Sequence, residues 1–226
     1  MYQKFFKRLF DFIGALVAII VLSPLFLVLI IVGAVEMKGN PFFVQPRPGK
    51  GEKIFNLIKF RSMTSATDSN GKPLPDEVRL TKYGKFLRAT SLDELPELIN
   101  IIKGEMSFVG PRPQLVRDMF FMTQKQRMRH SVMPGLTGLA QINGRNNISW
   151  EDKFRFDLEY IEEGITFVND LKIVLYTVFK AFIRADIVRE GTASDLDFGD
   201  YLLSKGDITE EEYTLHQKEA KELSEV

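Results

Sequence analysis

The chain of 226 residues contains no cysteine. That absence excludes disulfides, thiolate metal sites and thiol nucleophiles, and it agrees with a reducing compartment. Histidine is scarce: His130 is one of two, and no ligand set surrounds it in the sequence, so it reads as structural. There is no internal repeat and no low-complexity tract. Net charge is missing as well, with 30 Lys and Arg against 30 Asp and Glu, but the balance is not local. Residues 191–226 hold ten acids against three bases, which leaves residues 1–190 at a net +7. A basic body suits anionic lipid headgroups and phosphate-bearing substrates. Nucleic acid is a poor candidate, because no recognition motif or basic-aromatic repeat accompanies the charge.

The most informative feature present is Phe12 to Val35, a run of 24 residues without one charge. At about 1.5 Å per residue it is long enough for a hydrocarbon core of about 30 Å. Pro24 sits near its middle, where it removes a backbone donor and crowds the carbonyl four residues back. Both flanks are basic: Lys4, Lys7 and Arg8 precede the run, and Lys38, Arg47, Lys50 and Lys53 follow it. Basic flanks favour the cytoplasmic side, and one crossing cannot leave both ends there. The expectation is a re-entrant helix over residues 1–38, broken at Ser23-Pro24, with the rest of the chain cytoplasmic. A kinked single span is the main alternative. A cleaved signal would have too long an apolar region, although Val32-Gly33-Ala34 would pass as a cleavage site. A buried core helix would be apolar all round to no purpose in so small a domain.

About 190 residues follow, enough for one domain with its own core. Phe42 to Gln45 and Lys53 to Phe60 read as short strands around the turn Arg47-Pro48-Gly49-Lys50-Gly51. Lys59 and Arg61 share one face of the second strand and together could hold a diphosphate, or form a solvated edge. Met63 to Pro75 is a polar surface loop with a turn at Asn70-Gly71. Leu92, Leu95, Leu98, Ile99 and Ile102 recur at helical spacing, predicting a helix from near Ser91 to Gly104. Arg117 to His130 reads as a basic helix, and Trp150 to Tyr160 as another, carrying Asp152 and Asp157. Three glycines and Pro134 between Met133 and Arg145 predict a backbone that approaches a ligand or another chain closely. Leu171 to Arg184 is amphipathic, either interfacial or core-facing, and its cations favour the interface. Residues 191–226 form an acidic tail, helical in part from Thr209.

Asp93-Glu94 is the key polar pair. Ser91-x-x-Glu94 has the spacing of a capping box, and on spacing alone capping is the stronger reading. The functional reading is that an ionised carboxylate in a first turn attacks phosphorus or binds a divalent cation. Pro111-Arg112-Pro113 fixes the backbone on both sides of one guanidinium, which suits bidentate phosphate binding or a plain rigid turn.

Several segments, in this order, resemble the small monotopic phosphoglycosyl transferases of bacteria. They are the proline-broken anchor, Phe43 to Gly49, Lys59 to Met63, Ser91 to Pro96, Met106 to Pro113, and Pro134 to Gln141. Asn143-Gly144-Arg145-Asn146 and Ile148-Ser149-Trp150-Glu151 resemble the branch that primes N-linked glycan assembly on a diacetamido sugar. The resemblance implies transfer of a sugar-1-phosphate from a UDP-sugar to a polyprenyl (undecaprenyl) phosphate at the cytoplasmic face of the inner membrane, releasing UMP. It implies that Asp93 is the nucleophile, that Glu94 is its partner, and that Mg²⁺ is the cofactor, with Asp93 a candidate ligand. Lys59, Arg61, Arg88, Arg112 and Arg145 are candidates for holding phosphates. The expected fold is α/β-mixed and helix-rich. A re-entrant anchor (1–38) precedes a catalytic domain (39–190) with a short β-hairpin and amphipathic interfacial helices, and the acidic tail (191–226) follows. A homodimer or pathway enzymes are candidate partners besides the membrane lipids. A membrane-tethered phosphohydrolase and a non-catalytic scaffold are the rival functions.

Overall fold

The computed structural model describes residues 1–144, 148–183 and 196–224. A π-helical turn, Tyr2–Phe6, leads into α1 (Lys7–Glu36), and the hairpin β1 (Phe42–Pro48) and β2 (Ile54–Phe60) follows. Next come α2 (Asp76–Arg79), α3 (Lys82–Thr90), α4 (Glu97–Lys103), β3 (Ser107–Val109), α5 (Val116–Phe121) and α6 (Gln124–Arg127). The chain continues through β4 (Gly135–Thr137), α7 (Leu139–Ile142), α8 (Trp150–Glu162), α9 (Phe167–Ile183), α10 (Phe198–Lys205) and α11 (Glu210–Ser224). The helix-rich α/β fold with one hairpin is as the sequence predicts.

The anchor differs in one respect from the expected broken pair. α1 is one helix of 30 residues with Pro24 inside it. Pro24 has no N–H to give the carbonyl of Ile20, and the Ser23 hydroxyl donates to that carbonyl instead, at 2.8 Å. The lost bond is replaced one residue early, so the helical path survives the proline. One face of α1 packs on the body along most of its length: Lys7, Asp11, Ala15, Leu29 and Gly33 are all buried. Ala15 meets Phe55, Leu98 and Met106, while Leu29 meets Phe60 and Leu87. The remaining faces expose Phe12, Leu16, Val17, Ile20, Val21, Leu27, Val28 and Ile31, an apolar surface that suits lipid rather than water. α9 carries a second such surface in Leu171, Leu175, Tyr176, Val178 and Phe179. The two helices meet where Phe167 touches Tyr2 and Phe10. Arg184, the last cation expected on α9, lies outside the described residues.

The hairpin is antiparallel, with Phe42 opposite Phe60 and Pro48 opposite Ile54. Fully buried Asn100 on α4 stitches it to the helix that follows the key acids. The amide of Asn100 donates to the Asn56 carbonyl at 2.7 Å and accepts from the Ile58 N–H at 3.1 Å. The predicted close approach of the glycine-rich segment occurs within the chain itself. β4 runs parallel to β3, and a Cβ on Gly135 would lie 2.1 Å from the Gly110 nitrogen, so no side chain fits.

One helix expected in the body fails. Arg117 to His130 is not one helix: α5 ends at Phe121, and Thr123 starts α6 with a capping box to Gln126. Arg117, Arg127, Arg129 and His130 are tethered to protein. Arg127 and His130 bind Glu52, and buried Arg129 binds Asp157. Burial and neighbouring Arg129 hold His130 down to about 4, so it is a neutral, structural imidazole, as expected. The acidic C-terminal stretch is helical from Glu210 with Thr209 as its cap, as foreseen. It packs on the body. Phe198 sits in a cluster with Met122, Trp150 and Phe154, and Phe121 stacks on Tyr213.

Candidate active site

α3 ends at Ser91, which adopts a left-handed conformation with φ 55°. A serine there is strained, and such strain collects at functional turns. The turn Leu92–Glu94 follows, and α4 begins only at Glu97, after Pro96. The capping box anticipated from Ser91-x-x-Glu94 does not form: Ser91 gives the turn no side-chain cap. Glu94 is engaged elsewhere. Its carboxylate accepts from Lys59 Nζ at 3.0 Å, on β2, and forms a tight pair with Arg112. Leu92 and Leu95, on either side of the acids, pack into the cluster of Leu29, Phe60 and Leu87. The apolar neighbours thus hold the pair against the anchor while the carboxylates face a cavity of about 1490 Å³.

Lys59, Arg61, Arg88, Asp93, Glu94 and Arg112 all line that cavity. Six residues spread over 54 positions of sequence converge. Arg88 donates to Ser62 Oγ at 3.1 Å, which fixes its guanidinium beside the strand end. Arg145 lies outside the described residues.

The two acids have different environments. Burial would raise Glu94, but Arg112 and Lys59 outweigh it and hold Glu94 far below the usual range. Burial and then the charge of Glu94 push Asp93 up, against the pull of Lys59, Arg112 and Arg88. Among the described residues no cation lies at ion-pair distance from Asp93. Paired titratable groups pushed in opposite directions are a mark of divided chemical labour. Glu94 is a fixed anion that orients two cations, and Asp93 is the uncommitted, more basic carboxylate.

Two residues escaped the sequence reading. Glu97, 1% exposed, lies 3.1 Å from Lys59 and shares that ammonium with Glu94. Its position one turn after Glu94 on a helix facing Lys59 was the available signal. Arg47 also lines the cavity, and its Nη1 reaches the Pro113 carbonyl at 3.3 Å. No carboxylate pairs with it among the described residues. Burial, and then Arg112, bring it down to about 10. An unpaired, desolvated guanidinium on a cavity wall is a ready anion site. Among the described residues no cluster of three or more acids and histidines offers a ready-made metal site.

Comparison with known proteins bears directly on this geometry. A sequence model described as Bacterial sugar transferase matches residues 2–184. The chain is 49% identical over 181 residues to a protein of Bacillus subtilis named uncharacterized sugar transferase EpsL, covering 80% of this chain and 89% of that one. It is 42% identical over 189 residues to a UDP-glucose:undecaprenyl-phosphate glucose-1-phosphate transferase of Klebsiella pneumoniae, covering 79% of this chain. Similarity to the galactosyl transferase CpsE of Streptococcus agalactiae is 37% over 187 residues, covering 76% of this chain. The chain spans 40% of the length of the Klebsiella protein and 41% of the streptococcal one.

Proposed function

The chain belongs to the bacterial sugar transferase family, enzymes of the phosphoglycosyl transferase kind, and we propose that it transfers a sugar-1-phosphate from a UDP-sugar to a polyprenyl phosphate through Asp93. The observation that carries this reading is the division between the acids: two cations neutralise Glu94, while Asp93 faces the same cation-lined cavity with no ion-pair partner among the described residues. In the first step an Asp93 oxygen attacks the β-phosphorus of the donor, and the bond from that phosphorus to the oxygen bridging the two phosphates breaks. UMP leaves with that oxygen, and a phosphosugar-aspartate remains. In the second step a phosphate oxygen of the polyprenyl phosphate attacks the same phosphorus and frees Asp93. Lys59 and Arg112, held in place by Glu94, stabilise charge on the transferring phosphoryl group, and Arg61, Arg88, Arg47 and Arg145 are further phosphate holders.

Mg²⁺ is part of the proposal. One protein carboxylate plus substrate phosphates is an ordinary magnesium environment, and Asp93 is the residue that would hold it. The ion would offset diphosphate charge.

The proposed topology is a re-entrant anchor at the cytoplasmic face of the bacterial inner membrane. A helix of 30 residues is about 45 Å long, yet both of its ends stay packed on one domain. That packing supports re-entry over a simple crossing. For the sugar, the likeness at Asn143 to Asn146 and Ile148 to Glu151 supports an N-acetylated donor, including a diacetamido-trideoxyhexose.

Intact-protein mass after incubation with Mg²⁺ and a panel of UDP-sugars, without acceptor, tests the mechanism. An added mass of one sugar phosphate, absent from Asp93→Asn, is the expected result. UMP release that requires polyprenyl phosphate, with no adduct from any donor, would replace the covalent route by direct transfer. Free sugar phosphate without acceptor would instead identify a phosphohydrolase.

A further inference from the structure

The sequence model of the family ends at residue 184, but the cavity does not. Leu196 and Asp197 line it together with Asp93 and Arg112. They are held there by several independent contacts. The Trp150 indole N–H donates to the Leu196 carbonyl at 3.2 Å, and the Phe198 N–H donates to buried Asp118 at 2.9 Å. Asp197 pairs with Arg117, and the Phe198 ring lies 5.1 Å from Trp150 and 5.0 Å from Phe154. Behind them Tyr213 binds Asp200 and stacks on Phe121, so α10 and α11 brace the wall.

Charge indicates which side of the cavity this wall occupies. Residues 191–226 carry ten acids against three bases, a composition that anionic headgroups repel. The apolar faces of α1 and α9 mark the lipid side. A polyprenyl tail reaches the site from there, whereas a sugar nucleotide comes from water. At the cavity itself this element presents one carboxylate, Asp197, paired on one side with Arg117; an ionised carboxylate can only accept hydrogen bonds, so it favours a hydroxyl donor over a phosphate. The phosphates therefore fall to the cations and the neutral, hydroxylated part of the ligand to this wall.

We propose that the C-terminal element forms the aqueous wall of the donor compartment, and that Leu196 and Asp197 contact a hydroxyl-bearing part of the sugar nucleotide and select which donor enters. This rests on the transferase reading for the class of ligand. The test uses the full chain in detergent micelles, in an Asp93→Asn background that blocks turnover. Calorimetry measures binding of UMP, UDP-glucose, UDP-galactose and UDP-N-acetylglucosamine, with and without Asp197→Asn or Leu196→Ala. Leu196 is 58% exposed, so its truncation leaves the fold intact. The expected result is a Kd about tenfold higher for at least one sugar nucleotide in Asp197→Asn, and a changed order of preference in Leu196→Ala. A loss that extends to UMP puts the contact at the ribose, and one confined to the sugar nucleotides puts it at the pyranose. Equal affinities in all proteins, or no binding of any probe, overturns the proposal. The transferase reading is judged separately, by UMP release from the unaltered chain with polyprenyl phosphate. A Kd shift without such release would leave the compartment standing and remove the reaction.

Discussion

Two buried charge clusters in this molecule are built to opposite rules. At the foot of the anchor, Asp170 on α9 binds Lys7 and the Tyr2 hydroxyl (2.8 Å) with one oxygen and the Tyr160 hydroxyl (2.7 Å) with the other. Both oxygens of Asp170 therefore have donors, and the cluster joins the anchor to α9. In the cavity, Glu94 binds Lys59 and Arg112 and Glu97 shares Lys59, while among the described residues no cation lies at ion-pair distance from Asp93. The first cluster is closed and holds the fold. The second leaves Asp93 without an ion-pair partner among the described residues, and that opening is where chemistry can happen. Burial alone does not separate scaffold from site; the completeness of pairing does.

Substitutions can break this contrast, and the largest effect is expected at the incomplete cluster. Asp93→Asn should reduce UMP release by at least about 10⁴-fold while leaving the unfolding midpoint near that of the parent chain. A fall in stability comparable to the loss at Asp170 would erase the distinction. Asp170→Ala leaves Lys7 charged and buried without its anion, at an expected cost of about 3–5 kcal/mol in urea unfolding. Replacing Lys7 and Asp170 together by apolar residues should recover much of that, since neither charge is then stranded.

Glu97 sharpens the comparison through pH. Burial holds it up at about 7, against the pull of Lys59 and above the ordinary 4.5. The folded chain keeps a proton that the unfolded chain loses, so this group's contribution to stability is full below about pH 4.5 and declines as pH rises to about 7. In Glu97→Gln that decline, of order 3 kcal/mol, should vanish from the pH dependence of the unfolding free energy. Parallel profiles in the two proteins would place Glu97 with the closed cluster. The smallest effect belongs to the anchor: Ser23→Ala strips the Ile20 carbonyl of its substitute donor and should cost about 1 kcal/mol, read as a lower midpoint.

Much of this was legible in the sequence. The charge-free run, the hairpin, the helix after Trp150 and the amphipathic face of α9 are periodic or compositional, and such signals survive folding. Lys59, Arg61, Arg88, Asp93, Glu94 and Arg112 were nameable from motif and charge, and they do converge. The capping box misled because it is a local pattern: Glu94 prefers partners 35 and 18 residues away to a backbone N–H three residues back. Arg117 to His130 misled for the same reason, since Glu52 and Asp157 settle where its cations go. β3 and β4 are three residues each and rich in neighbouring glycine, too short for an alternation to register. The docking of residues 196–224 depends on Phe198, Tyr213 and their distant aromatic partners, which no window of sequence brings together.

The packing of Leu92 and Leu95 against Leu29 has a further consequence. On the proposed topology it would work as a ruler, tying the height of Asp93 above the hydrocarbon to the depth of the anchor. On the proposed reaction, every acceptor presents its phosphate at that one level, whatever lies beneath. Isoprenoids of very different length should then be used alike, and a bilayer too thin or too thick should slow them all equally.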